Sequence, residues 1–275
     1  MAAYGMIINV DRCIGCYNCY LACRDEHAGL DHLPYSLGQP RRGPNWAQIV
    51  ERERGQYPWV KTTFMFKPCL HCDHAPCIEA APNGAIYKRP DGIVIIDPIK
   101  SIGQRQVVSA CPHRVISWNE ERNVPQKCTL CAHLLDRGEK EPRCVEVCPT
   151  GALVFGDLED PNSEVRQVMR EYEVEELHPE YGLAPRVNYI AIPKRFIAGT
   201  VVFGDSGECA AGVNIKLRSD KVERSTKTNA FGDFEIDGLD VGEYTVMVAH
   251  EGYAPQRLTV ATRQDVYLGE ITLAR

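Results

Sequence analysis

Cys13-Ile14-Gly15-Cys16-Tyr17-Asn18-Cys19-Tyr20-Leu21-Ala22-Cys23 carries four of the chain's 13 cysteines in the spacing CxxCxxCxxxC, and that spacing decides how the first part of the sequence folds. A second block, Cys69, Cys72 and Cys77, reads CxxCxxxxC, and a last one sets Cys128, Cys131, Cys144 and Cys148 before Pro149. Between them Ser101, Gln104 and Val107 stand where three cysteines would complete the same frame, and only Cys111, before Pro112, remains. Runs of this kind ligate cubane iron–sulfur clusters, one thiolate per iron, and in two-cluster proteins the last cysteine of a run serves the other cluster.

Applied here, that exchange pairs the first run with the last and the two middle runs with each other. One [4Fe–4S] cluster then falls on Cys13, Cys16, Cys19 and Cys148, and a second on Cys23, Cys128, Cys131 and Cys144. A third falls on Cys69, Cys72, Cys77 and Cys111. Its sister site would be framed by Ala81, before Pro82, with Ser101, Gln104 and Val107, so all four ligands are missing together and a vacant fourth site is expected. Three clusters use twelve cysteines and leave none of the twelve over. Structural zinc also uses CxxC pairs, but a triple run followed by a fourth cysteine fits two-knuckle zinc spacing poorly. Disulfides are disfavoured because no secretory signal precedes the first run and the chain is too long to need staples. A radical activase would need a separate CxxxCxxC triad, which the sequence lacks.

With 275 residues there is room for two cores. The expected organisation is a domain over 1–195 with three clusters and a β-sandwich over 196–275, an α+β fold overall. In the first, residues 6–10 read as a strand feeding the first cysteine loop, and residues after Cys19 to about His27 as a helix. Residues 85–96 read as a hairpin around Pro90-Asp91-Gly92. Residues 115–118 and 152–155 read as strands in corresponding halves of a weak repeat. Over 163–177, Val165, Val168, Met169 and Tyr172 recur at helical spacing. From about residue 196 the cysteine runs stop and short β-rich stretches, 200–203, 213–217, 234–236, 244–248, 258–260 and 266–268, alternate with turn residues, the pattern of a sandwich. Cys209 lies off every cluster frame and reads as an ordinary thiol.

The histidines His71, His74, His113 and His133 adjoin ligand cysteines. Each cubane already has four thiolates, so these residues read as hydrogen-bond donors to sulfur or as surface groups. Arg41, Arg42, Arg52 and Arg54 could dock an acidic partner or lie on a solvated loop. The net charge of −6 disfavours nucleic acid. No apolar stretch approaches the roughly 20 residues of a membrane span, and a cytoplasmic chain is expected, unless a folded partner carries it across a membrane.

Over its first 190 or so residues the chain resembles the four-cluster ferredoxin-like β subunits that serve molybdenum and tungsten bis-pterin enzymes of the dimethyl sulfoxide reductase class. The stretches Pro68-Cys69-Leu70-His71-Cys72-Asp73-His74-Ala75-Pro76-Cys77 and Gln126-Lys127-Cys128-Thr129-Leu130-Cys131-Ala132-His133 are similar to the small subunits of pyrogallol–phloroglucinol transhydroxylases and resorcinol hydroxylases. Those subunits likewise combine three clusters with a C-terminal sandwich. Ala230-Phe231-Gly232-Asp233-Phe234 and Gly238-Leu239-Asp240-Val241-Gly242-Glu243-Tyr244 resemble carboxypeptidase-regulatory-like, transthyretin-like domains. The resemblance implies an electron-transfer subunit without a catalytic site of its own. It also implies a large partner that holds the molybdenum or tungsten pterin cofactor and acts on phenolic aromatics, in a soluble heterodimer or a multimer of it. The loss of the fourth cluster would shorten the electron route at the end where the relatives meet a membrane partner. A second expectation is a subunit whose clusters chiefly scaffold the catalytic partner.

Overall fold

A computed structural model describes residues 2–275. The chain divides into two compact units: one runs up to Glu51 and resumes over Thr63–Ile192, and the other comprises Arg52–Thr62 with Pro193–Arg275.

At the base of the first unit, strand Tyr4–Asn9 pairs antiparallel with Leu153–Asp157 and parallel with Val187–Ile190. The central strand is apolar along its length because both its faces are covered. Met6 and Ile8 enter the core that contains Cys19, Cys23 and Cys144, whereas Ile7 packs with Val154, Val165 and Ile190 on the opposite face. Fully burying each such side chain contributes about 1.5–3 kcal/mol. The helix beneath the second face spans Glu164–Glu171 rather than 163–177. Tyr172 is extended, with φ −122° and ψ 151°, and Glu175 instead exchanges backbone hydrogen bonds of 2.8 and 2.9 Å with Tyr189 at the sheet edge. Edge pairing outcompetes continuation of a helix that would run into Glu173, Glu175 and Glu176.

The expected hairpin is present as Ile86–Lys88 with Val94–Ile96. Its turn is closed by Asp91 Oδ1, which accepts the Ile93 N–H at 3.1 Å, and by Gly92 at φ 88°. The strand expected at 115–118 begins later, as Ser117–Asn119 paired with Val124–Gln126. Val115 and Ile116 are buried without strand pairing.

Strands Gln48–Gln56 and Trp59–Lys67 form a two-stranded sheet whose residues carry no strong sequence pattern. Its outer part, Arg52–Thr62, groups with the second unit. There Arg54 lies 3.3 Å from Asp237 and 3.4 Å from Asp265. Lys61 pairs with Glu235 and Asp237, and both cations lie over the buried Phe196 ring, at 5.3 and 5.0 Å.

The second unit is a sandwich. Asp233–Leu239, Arg195–Phe203 and Val266–Leu273 form one sheet; Glu223–Lys227, Asn214–Arg218, Glu243–Ala249 and Gln256–Ala261 form the other. Alternation sets the inner face: Ile215, Leu217, Tyr244, Val246 and Val248 are buried while Asn214, Lys216 and Arg218 are exposed. Strand Glu223–Lys227 escaped sequence reading because its Glu-Arg-Ser-Thr-Lys composition carries no apolar period.

Candidate iron–sulfur cluster sites

Three cavities in the first unit are each lined by four cysteines. Cys13, Cys16, Cys19 and Cys148 line the first cavity. Cys23, Cys128, Cys131 and Cys144 line the central cavity. Cys69, Cys72, Cys77 and Cys111 line the third, and all twelve thiols are free of disulfides. Phe66 lines both the first and the central cavity. On the other side, Lys127 lines the third cavity and the next residue, Cys128, lines the central one, so the central cavity adjoins both of the others.

The loops that carry the leading cysteines share a backbone device. The residue two places after the first cysteine of a run adopts positive φ: Gly15 at 66°, His71 at 47° and Leu130 at 49°. That conformation turns its N–H back onto the sulfur. His71 N–H reaches Cys69 Sγ at 3.5 Å and Leu130 N–H reaches Cys128 Sγ at 3.4 Å. Glycine is required at position 15, because a Cβ there would lie 2.5 Å from the Phe64 ring.

Burial pushes the thiols up, to about 12 for Cys19, Cys72 and Cys131 and about 11 for Cys77 and Cys128. Neighbouring thiols add to the rise at Cys19 and Cys72. Such groups stay neutral near pH 7 unless a metal takes the sulfur and releases the proton. The donor set is uniformly soft, which suits zinc or iron–sulfur chemistry. Each site draws three thiols from one run and the fourth from a distant one, which is the ligand pattern of a cubane in a two-cluster ferredoxin.

Residues 60–158 match the 4Fe-4S dicluster domain, and residues 197–274 match the carboxypeptidase regulatory-like domain. The pyrogallol hydroxytransferase small subunit of Pelobacter acidigallici is 41% identical over 281 aligned positions, covering 99% of this chain and 100% of that one. The chain belongs to the iron–sulfur subunit family of the dimethyl sulfoxide reductase class. Other members are more distant. A sulfite dehydrogenase subunit of Allochromatium vinosum is 36% identical over 71% of this chain and 85% of its own. The arsenate respiratory reductase iron–sulfur subunit ArrB of Shewanella is 31% identical over 68% and 95%. Among solved structures, 5-hydroxyisourate hydrolase of Klebsiella pneumoniae covers 30% of this chain and 87% of its own at 14% identity and a TM-score of 0.25, too slight a likeness to carry an argument.

Of the histidines flanking the cysteine runs, His71 and His113 line the third cavity. His71 is fully buried; its Nδ1 accepts the Val94 N–H at 3.0 Å, so the proton sits on Nε2, which has no partner among the described residues. Burial, then the Lys127 charge, hold its pKa well below the usual value and keep the ring neutral. His113 is likewise neutral, pushed down to about 4 by burial. His74 is exposed and its Nδ1 faces the Gly182 carbonyl at 3.3 Å.

His27 escaped sequence reading although it follows Cys23 by one helical turn on Asn18–His27, so both face the central cavity. Its Nε2 lies 3.8 Å from Cys131 Sγ, and burial lowers its pKa to about 3. Trp46, also in that wall, has a buried indole N–H without a partner among the described residues.

His133 and His32 converge on Glu26: His133 Nε2 is 2.8 Å from Oε1, and His32 Nε2 is 2.8 Å from the Glu26 carbonyl. The three offer ligand atoms close enough for a cation. Their geometry is that of a hydrogen-bonded set. The two rings stack at 3.8 Å and 17°, so their in-plane lone pairs run side by side, and Arg143 holds the other carboxylate oxygen at 3.0 Å. Burial alone would raise the Glu26 pKa; the bonds from His133 and Arg143 outweigh it and leave the carboxyl below its usual range.

The arginines separate. Arg54 is committed to Asp237 and Asp265 and is not available for docking a partner, whereas Arg41 and Arg42 are exposed. Cys209 is exposed on a sandwich loop and lines none of the three cavities. In the cysteine-poor frame, Ala81 and Val107 pack in one buried cluster with Ala85, Ile86, Val94, Ile96 and Ile116. Ser101 and Gln104 are buried too, and Ser101 Oγ and Gln104 Oε1 have no hydrogen-bond partner among the described residues.

Proposed function

We propose that the chain is a non-catalytic electron-transfer subunit of a bis-pterin molybdenum or tungsten enzyme acting on phenolic aromatics. Its three [4Fe–4S] clusters are held by the cysteine sets of the first, central and third cavities. The observation that carries this reading is the grouping of the cysteines: each cavity draws its fourth thiol from a distant run, Cys148 for the first, Cys23 for the central and Cys111 for the third. When bound, such clusters supply reversible one-electron transfer.

The residues of the chain prepare those transfers. Backbone N–H groups of His71 and Leu130 are aimed at sulfur, which stabilises charge there. Phe66, Leu70 and Leu130, all 1% exposed, keep water out of the core between the cavities. At the first cavity Cys16 is exposed, and Ile14 and Leu21 beside it are 63% and 55% exposed, a surface suited to a large protein partner. Among the described residues no helix is long and apolar enough to cross a membrane.

Two substitutions test the ligand sets. Cys111→Ala should abolish the cluster of Cys69, Cys72 and Cys77 and leave the other two, while Cys148→Ala should strike the cluster of Cys13, Cys16 and Cys19. Damage confined to the Cys128, Cys131 and Cys144 cluster on loss of Cys148 would refute the exchanged pairing. A redox titration separates transfer from scaffolding, since scaffold clusters would hold one oxidation state across the enzyme's working potential.

A further inference from the structure

Lys127 immediately precedes a cysteine of the central cavity and itself lines the third. It is 2% exposed. Among the described residues its ammonium donates only to two backbone carbonyls, Val94 O and, at 3.1 Å, Cys128 O. Among the described residues no carboxylate lies within 4.0 Å of it. The contrast with its neighbours is sharp: Lys88, which donates to the Cys72 carbonyl at 3.0 Å, and Arg186 both pair with Asp73. A cation taken out of water without a counter-ion is strongly unfavourable, and proteins retain one where something anionic compensates it. Carbonyl dipoles compensate in part. The remaining candidates facing Lys127 are the cysteines themselves, and its charge reaches both Cys77 of the third cavity and Cys128 of the central one.

We infer that Lys127 is the fixed counter-charge of the third cluster and sets its reduction potential relative to the central one. The inference rests on the three-cluster reading above. A cubane with four thiolates is anionic and gains one further negative charge on reduction, so a nearby cation favours the reduced form and raises the potential. With both clusters bound, the transfer concerned would move one electron from the central cluster to the third, oxidising the former and reducing the latter, with no bond made or broken at Lys127. The buried position makes the effect insensitive to salt, because bulk ions cannot screen a group without solvent contact.

The test is a potentiometric titration, followed by electron paramagnetic resonance, of the intact complex carrying Lys127→Met, Lys127→Gln or Lys127→Arg. The signal of the third cluster is identified by its absence from the Cys111→Ala variant. Both neutral variants should lower that midpoint by at least a tenfold change in the reduction equilibrium, about 59 mV for one electron. The other two midpoints should move less, and Lys127→Arg should show under half the shift. An unmoved midpoint in neutral variants that retain all three clusters overturns the proposal, as does an equal shift in Lys127→Arg. Loss of every cluster from both neutral variants also counts against it, since the carbonyl anchors alone would then explain the lysine. A cluster count below three in the unaltered protein would instead sink the reading on which the inference stands.

Discussion

His71 shows how much chemistry a single side chain carries here. Its Nδ1 is engaged by Val94, its ring is neutral, and it lines the third cavity with its Nε2–H lacking a protein partner among the described residues. A donor in that position stabilises negative charge on sulfur. His71→Leu is therefore expected to keep the third cluster but to lower its midpoint by about 20–65 mV, from a hydrogen bond of about 0.5–1.5 kcal/mol. It should also cost about 1–3 kcal/mol of stability by orphaning the Val94 N–H. A loss of stability with an unmoved midpoint would mean that Nε2 does not reach sulfur. The sequence pointed to His71 because it stands inside a cysteine run. It did not point to His27 or Lys127, whose roles come from a helical turn and from a missing carboxylate, and neither is visible as a spacing.

At the scale of the element, the cysteine loop is the repeated unit, and its positive-φ residue is its most constrained part. Gly15→Ala would force a methyl into Phe64 in addition to about 1–2 kcal/mol of backbone strain. The expected outcome is selective loss of the first cluster, iron falling from about 12 to about 8 per chain; iron unchanged would show that the loop tolerates the methyl. The cysteine-poor run keeps the same device: Gly103, two places after Ser101, has φ 78°, although its N–H now reaches the Asn123 carbonyl at 2.8 Å. Restoring Ala81→Cys, Ser101→Cys, Gln104→Cys and Val107→Cys together is thus expected to raise iron from about 12 to about 16 per chain. A folded variant that stays at about 12 would mean that the apolar cluster around Ala81 and Val107 has closed over the site. The cysteine frames, the Pro90-Asp91-Gly92 hairpin and the alternating sandwich strands were legible because each has a local signal. The two-stranded sheet of Gln48–Gln56 and Trp59–Lys67 was not, since its outer part is held by Asp237, Asp265 and Glu235, which lie far along the chain.

For the whole molecule, the division into a cluster-bearing unit and a sandwich has a direct consequence. All twelve proposed ligands precede Ile192, so a chain ended there should retain about 12 iron, even though residues 52–62 lose the acidic partners of Arg54 and Lys61. A folded truncated chain without iron would mean that the sandwich is needed to assemble the clusters. What the sequence could not supply is the relation among the three sites, because the order first, central, third arises from Phe66 lining two cavities and from Lys127 and Cys128 lining the third and the central one. The electron route, the role of Lys127 and the vacant frame all depend on three cubanes in one chain. The measurement that tests this most directly is total iron, acid-labile sulfide and zinc per chain after separation from any large subunit. About 12 iron and about 12 sulfide with negligible zinc is the predicted result, and zinc with little sulfide, or iron near 16, would contradict it.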